Sequence, residues 1–338
     1  MTHLTYLEAA VVGLVQGVTE LFPVSSLGHN VLIPALLGGS WARDLNVAAA
    51  ESPYLAFIVG LHVATAIALL IYFWRDWVRI IGGFLSSVRD LSVETDDQKL
   101  AWMIILATIP VGIAGLLFEH AFRVIFGKPI IAGVFLATNG LILLAGEAFR
   151  SRASLAADDA IAAQRDPEPA PAAEPELVAA GRVPARVHAR SESQTLREQE
   201  QAEAIQADRR LGGMGYLRAV TVGAAQVLAL LAGISRDGVT IVAGMARGLS
   251  REDAARFAFL LATPVILAAG ALKIPDLVGP LGSGIRGQIL VGSVLSGLGA
   301  YLSVRFLLRY LRTRTLIPFG IYCLIAGLGS VAYLGVVQ

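Results

Sequence analysis

Gln16 and Glu20 stand four residues apart, and Ser25, Ser26 and His29 follow close behind. Residues i and i+4 share a helix face, so the amide and the carboxylate point the same way. His29 comes three after Ser26, which projects it from the same surface of a second short helix. Far downstream, Gly233, Ser235, Arg236, Asp237 and Thr240 form another polar cluster. A guanidinium grips a phosphate through two parallel N–H groups. Hydroxyls and amides add donors, while a carboxylate and an imidazole can move protons or attack phosphorus. These residue types together suit the handling of a phosphate.

The two clusters are copies of one pattern. Residues 12–28 read VGLVQGVTELFPVSSLG and residues 222–238 read VGAAQVLALLAGISRDG. Aligned without a gap, Gly13 meets Gly223, Gln16 meets Gln226, Leu21 meets Leu231, Ser25 meets Ser235 and Gly28 meets Gly238, at a constant offset of 210 residues. Both copies set glycines and polar groups inside apolar surroundings, and matched interruptions in two halves of a membrane chain point to a site. Pro23 is expected to stop the first helix, with Ser25 and Ser26 capping a second over about 27–37. Gly233 is expected to break the second copy, with Ser235 as the matching cap. Two helix N-termini would then face the interior from opposite sides, each with free N–H groups and a positive dipole end, which suits an anion such as phosphate.

The 338-residue chain is 55% hydrophobic with a mean hydropathy of +0.66, more apolar than the roughly 45–50% of soluble domains. Apolar runs at 53–74, 100–118, 130–149, 253–273, 286–308 and 315–337 are each long enough to span a hydrocarbon core roughly 30 Å thick. The expected fold class is therefore all-α integral membrane, with six transmembrane helices plus two re-entrant helix pairs. The single Cys323 excludes a disulfide framework and reads as space-filling. The N-terminal run carries Glu8, Gln16 and Glu20 and lacks a basic n-region, so it reads as a retained segment rather than a cleaved signal.

Three segments follow: a membrane half over 1–150, a polar insert over 151–211, and a second half over 212–338. PEPAPAAEPE at 167–176 cannot bury much surface, and the insert reads as a mostly disordered linker with room for one solvated helix. Each half holds one interrupted segment and then three spans. An odd number of spans reverses direction, which makes the halves an inverted-topology repeat. Arg75, Arg79, Arg89 and Lys99 place the 75–99 loop in the cytoplasm, as do Arg309, Arg312 and Arg314 for the turn near 309–314. The 274–285 loop, without Lys or Arg, is external. The linker is then cytoplasmic, loop 119–129 is external despite Arg123 and Lys128, and the first interrupted segment opens to the outer side. Trp74, Trp77 and Trp102 fall near span ends as an interfacial belt.

Plainer readings exist. The serines could be simple caps, Thr240 a back-bonded helix threonine, and His29 a satisfied interfacial histidine. Glu20 and Arg236 are harder to dismiss, because an ionisable group inside a membrane segment is costly and marks function by default, although they could form a structural ion pair.

VQGVTELFPVSSLGH (15–29) followed by GISRDGVT (233–240) resembles the bacitracin-resistance family of undecaprenyl-diphosphate phosphatases, and FAFLLATP (257–264) resembles the segment after that family's second motif. The resemblance covers both apolar halves and omits the insert. It implies a bacterial plasma-membrane enzyme that hydrolyses C55 polyprenyl diphosphate to the monophosphate plus phosphate, recycling a lipid carrier for cell-wall synthesis and conferring resistance to bacitracin. The substrate would enter from the outer face. Gln16 and Glu20 match the acidic motif, with Glu20 as base or metal-associated carboxylate and Gln16 beside it at the metal. Ser26 and His29 match residues for nucleophile or proton donor, and the choice between them stays open. Ser25, Gly233, Ser235, Asp237 and Thr240 would surround the phosphate, and Arg236 would stabilise transition-state charge. The resemblance also implies a divalent cation, Mg²⁺ or Ca²⁺, and leaves a homodimer open; no nucleic-acid partner is expected.

The chain departs from the motif in three places. Ala232 replaces a proline, Asp237 replaces a serine beside Arg236, and Arg256 stands where many members carry a glutamate. Asp237 and Arg256 could have exchanged charges as a pair. Two alternatives remain at this point: a polyprenyl-phosphate flippase or transporter, and a divergent lipid diphosphatase.

Overall fold

The computed structural model describes residues 4–45, 53–126, 128–164, 205–279 and 284–337, and every described element is helical. Helix α1 (Tyr6–Leu21) starts at a capping box in which Thr5 Oγ1 accepts from Glu8 N at 3.2 Å and Glu8 Oε2 accepts from Thr5 N at 2.8 Å. Next come α2 (Ser26–Leu37), the short α3 (Gly39–Asp44), α4 (Pro53–Tyr72), α5 (Trp74–Asp90), α6 (Asp96–Phe126) and α7 (Pro129–Gln164). The second half opens with α8 (Ile205–Gly212). It continues with α9 (Tyr216–Ala224), a 3₁₀ turn (Ala225–Leu230), α10 (Arg236–Ala246), α11 (Arg251–Val278), α12 (Arg286–Thr313) and α13 (Ile317–Val337).

Among the described residues, five stretches are long and apolar enough to cross a membrane: Asp96–Phe118, Pro129–Arg152, Arg251–Ala271, Arg286–Thr313 and Ile317–Val337. Two bent pairs meet the same test together, Gly60–Tyr72 with Trp74–Asp90 at 84° and Ile205–Gly212 with Tyr216–Leu230 at 99°. The Arg251–Ala271 window is 67% buried, against 28% for Ile317–Val337, so α11 is the central helix. Its Phe257, Phe259, Leu260 and Leu261 are fully enclosed. Ile113, Leu116, Leu298, Ile325 and Leu328 point outward, where a bilayer needs an apolar surface.

Helix α5 corrects the reading of 75–99 as a loop. Its charges hide a stripe of Trp74, Val78, Ile81, Leu85 and Val88, which stay exposed, while Ile80, Gly83 and Ser87 face inward. The bend after Tyr72 together with that stripe fits a helix lying along the membrane surface. The polar insert is helical at both ends. Helix α7 runs on through 151–164, and α8 carries buried Asp208 and Leu211 into the core. The disorder reading of 165–204 lies outside the described residues, as do the tip of loop 274–285 at 280–283 and residue 127 of loop 119–129.

Small residues let helices touch at their backbones. A Cβ on Gly13 or Gly17 of α1 would collide with the carbonyls of Gly292 and Ser296 on α12. A Cβ on Gly223 of α9 would collide with the Ala107 carbonyl on α6. Close approach of this kind takes the place of the hydrophobic effect in lipid, where apolar side chains gain nothing by leaving the solvent.

Asp237 and Arg256, which could have exchanged charges as a pair, have different partners. Arg256 Nε lies 2.9 Å from Asp208 Oδ1 and Nη2 lies 3.0 Å from Asp76 Oδ1, with the guanidinium 5.4 Å above the Phe73 ring. Arg79 joins the same network, contacting Asp208 and lying 2.6 Å from Asp76. Arg256 therefore ties α11 to α5 and α8, and Asp237 contacts a different arginine.

Candidate active site

The site forms where the turn after α1 meets the turn before α10. Helix α1 ends at Leu21, with Phe22 N on Val18 O at 3.3 Å, and Pro23 has no N–H with which to continue it. Ser25 then takes φ +67°, a conformation that costs a non-glycine residue about 1–3 kcal/mol. Its surroundings hold it there. Ser25 Oγ accepts from Gly28 N at 3.2 Å, and the Ser25 carbonyl accepts from His29 N at 3.2 Å and from His29 Nδ1 at 2.7 Å. Ser235 caps α10 in the same way, accepting from Gly238 N at 3.1 Å. Gly233 sits at φ +114°, and a Cβ on Gly28 would lie 2.9 Å from Gly233 Cα. Only bare glycine backbone lets the two turns come this close.

Asn139 of α7 ties the turns together. Its Nδ2 donates to the Pro23 carbonyl at 2.9 Å and its Oδ1 accepts from Ser235 N at 3.0 Å. Cys323 does more than fill space, since its Sγ lies 3.8 Å from the same Pro23 carbonyl.

Glu20 is the centre. It is 8% exposed, and a buried carboxylate needs partners for its oxygens. Oε1 accepts from Arg236 Nη2 at 2.8 Å. Oε2 accepts from Gln16 Nε2 at 2.9 Å and from the Ser26 hydroxyl. His62 Nε2 stands 3.5 Å from Oε2. Gln16 is itself oriented by Asn30, whose Nδ2 donates to Gln16 Oε1 at 2.7 Å. Serine, carboxylate and guanidinium thus form one hydrogen-bonded set, in which Glu20 can take the Ser26 proton and Arg236 can meet charge nearby.

The remaining sequence-predicted residues are placed as follows. Thr240 Oγ1 donates to the Arg236 carbonyl at 2.7 Å, the back-bonded arrangement weighed above as its plainer reading. Asp237 is fully buried, and its Oδ1 lies 3.5 Å from Arg236 Nε. Neither Asp237 oxygen has a hydrogen-bond partner among the described residues. His29 is bonded at both nitrogens, to the Ser25 carbonyl and, through Nε2 at 2.7 Å, to Tyr322 Oη.

His62, Asn30, Asn139 and Tyr322 were not singled out from the sequence. An intramembrane histidine or asparagine was the available signal for the first three. Nothing in the α13 sequence distinguished Tyr322.

Among the described residues no group of three or more His, Cys, Asp or Glu side chains could hold a metal ion. The chemistry of the donors fits a cation that arrives with its substrate better than one caged by protein. Glu20 is an anionic oxygen donor at the centre of the site, and Asp237 has two unpartnered oxygens behind Arg236. The Gln16 carbonyl is already taken by Asn30.

The family model described as Bacitracin resistance protein BacA matches residues 9–166 and 187–329. A protein of Mycolicibacterium paratuberculosis named undecaprenyl-diphosphatase is 56% identical over 333 residues, covering 98% of each chain. Undecaprenyl-diphosphatase 2 of Frankia alni is 53% identical over 341 residues, covering 97% of each. Undecaprenyl-diphosphatase 2 of Chromobacterium violaceum is 39% identical over 325 residues, covering 95% of this chain and 96% of its own. The chain belongs to the bacitracin resistance protein BacA family.

Proposed function

We propose that this chain is an undecaprenyl-diphosphatase, hydrolysing a C55 polyprenyl diphosphate to the monophosphate and phosphate. The observation that carries this is Glu20, which holds the Ser26 hydroxyl on one oxygen and the Arg236 guanidinium on the other. The near-full-length relatives that bear this name support it.

The reaction divides into two balanced steps. In the first, Ser26 Oγ attacks the terminal phosphorus as its proton passes to Glu20. The bond from that phosphorus to the bridging oxygen breaks, and the lipid monophosphate leaves with the bond's electrons. In the second, water attacks the phosphoserine. Ser26 leaves and recovers the proton held by Glu20, and the water's spare proton passes to an imidazole of the site. Arg236 and the free N–H groups at the starts of α2 and α10 stabilise the negative charge that gathers on the phosphoryl oxygens. Ser25, Gly233 and Ser235 shape the cradle by holding those helix starts in place. Asp237 and Thr240 bear on the phosphate through Arg236, one at its Nε and the other at its carbonyl. A divalent cation, Mg²⁺ or Ca²⁺, would be held by Glu20 and diphosphate oxygens and would offset substrate charge, since Mg²⁺ often needs only one or two carboxylates alongside phosphates. Gln16 serves as the amide that aims Glu20, and would reach the cation only by releasing Asn30.

The same reading takes the fold as an inverted repeat of 1–150 and 212–338, with six spans, two re-entrant pairs and a cytoplasmic linker over 151–211. Cross-packing supports it: Gly13 of the first arm lies on α12, and its counterpart Gly223 lies on α6. The lipid tail would stay among spans and bilayer of the bacterial plasma membrane, with the headgroup entering from the outer side.

The test is phosphate release by purified protein from C55 diphosphate, with and without chelator, beside Glu20→Gln and Arg236→Ala. Loss of release in both variants is expected. Variants as fast as the parent would defeat the assignment.

A further inference from the structure

His29 and Tyr322 are 293 positions apart, and their rings lie parallel, with centroids 5.8 Å apart and 5° between the planes. The bonds at His29 fix its tautomer. The Ser25 carbonyl can only accept, so Nδ1, 2.7 Å away, carries the hydrogen. In the neutral ring Nε2 is then bare, and it accepts the hydroxyl hydrogen of Tyr322 at 2.7 Å. A phenol oxygen can also accept. When a proton reaches the Tyr322 oxygen, the hydroxyl hydrogen passes to Nε2 and the phenol oxygen then accepts the new Nε2–H, with no heavy atom moving.

This has two consequences. The His29 lone pair faces the Tyr322 hydroxyl, whereas the Ser26 hydroxyl faces the Glu20 carboxylate, which favours Ser26 as the attacking group. The ring also keeps a partner at Nε2 in both charge states, as a proton carrier requires. His29 is 7% exposed and Tyr322 is 46% exposed, so the pair runs from the enclosed arm to the outer surface of α13.

We propose that Tyr322 is a positioning residue for the hydrolysis: with the Ser25 carbonyl keeping the hydrogen on Nδ1, the Tyr322 hydroxyl meets Nε2 in both charge states, so that Nε2 can take up and return one proton. This rests on the activity proposed above, and it assigns a role to a residue of the last helix that neither interrupted segment contains.

The test uses full-length protein labelled with ¹⁵N at histidine, with His29 identified by the resonances lost in His29→Gln. In the parent, Nδ1 should show the signature of an N–H nitrogen and Nε2 that of a hydrogen-bonded acceptor. Tyr322→Phe keeps the stacked ring and removes only the hydroxyl. In that variant the Nε2 resonance should move to the unbonded position and kcat should fall about tenfold, the factor that one hydrogen bond of ordinary net strength represents. KM for C55 diphosphate should stay within about twofold, and Tyr333→Phe on the same helix should change nothing. A parent ring protonated at Nε2 alone, an unchanged kcat in Tyr322→Phe, or a loss confined to KM would each overturn the proposal. If the parent released no phosphate at all, the activity reading would fail, while the ¹⁵N spectra would still decide the His29–Tyr322 contact.

Discussion

Arg236 Nη2 lies 2.8 Å from Glu20 Oε1, across 216 positions of sequence. Glu20 lies in the last turn of α1 and Arg236 begins α10, so this bond joins two broken helices. In the proposed mechanism, an arginine placed this way meets a phosphoryl oxygen beside the carboxylate that accepts from the Ser26 hydroxyl.

Arg236→Ala should lower kcat by roughly 10²–10³, the loss seen when one preorganised donor is removed from a developing oxyanion. Arg236→Lys should recover little, because a point charge cannot reproduce the planar fork. Phosphate release at saturating C55 diphosphate measures both. A lysine variant near parental rate would show that charge alone suffices.

Asn139 holds the Pro23 carbonyl and Ser235 N–H at once. Asn139→Ala strands two buried groups, each costing about 1–3 kcal/mol, and should lower the thermal midpoint in detergent. Asn139→Asp should be worse, because it can still accept from Ser235 but turns an anion toward the Pro23 carbonyl. If alanine and aspartate variants both melt with the parent, the clip between the turns contributes nothing.

The turns that frame the candidate site are legible in the sequence. Pro23 and Gly233 marked the breaks, Ser25 and Ser235 marked the caps, and the spacing of Gln16 and Glu20 gave a shared face, because all of these are local signals. Asn139, His62 and Tyr322 were not, because each sits in a span where apolar periodicity says only that the segment is buried or faces lipid. Their meaning lies in partners far away in sequence, such as the 293 positions between Tyr322 and His29. Helix α5 reads as a loop in the sequence because its charges stand out against the adjoining spans and mask the apolar stripe between them. The partners of Arg256 are not legible because one of them, Asp208, lies in a stretch whose composition reads as linker.

Glycine contacts separate positions that tolerate a side chain from those that cannot. Gly17→Val should abolish accumulation of folded protein, since even a Cβ meets the Ser296 carbonyl. Gly82→Ala on α5 has open space around its Cβ and should be neutral or stabilising by up to about 1 kcal/mol. Fluorescence-detected size-exclusion profiles of the two variants compare them directly. A well-folded Gly17→Val would contradict the close approach of α1 and α12.

The network of Arg256, Asp208, Asp76 and Arg79 predicts a stability effect away from the phosphate. Arg256→Met leaves Asp208 and Asp76 facing each other with Arg79 as their remaining guanidinium. Removing one partner from a buried pair costs about 3–5 kcal/mol. A marked fall in thermal midpoint is expected, partly restored by adding Asp208→Asn. A midpoint equal to the parent's would mean that the network is not coupled to folding.

The most direct measurement is rapid acid quench of purified protein mixed with C55 diphosphate labelled with ³²P in the terminal phosphate, followed by peptide mapping. Label should appear transiently on the peptide containing Ser26 in the parent, and Ser26→Ala should carry none while losing phosphate release. A Ser26→Ala variant that releases phosphate at the parental rate, or label found on His29, would contradict the account.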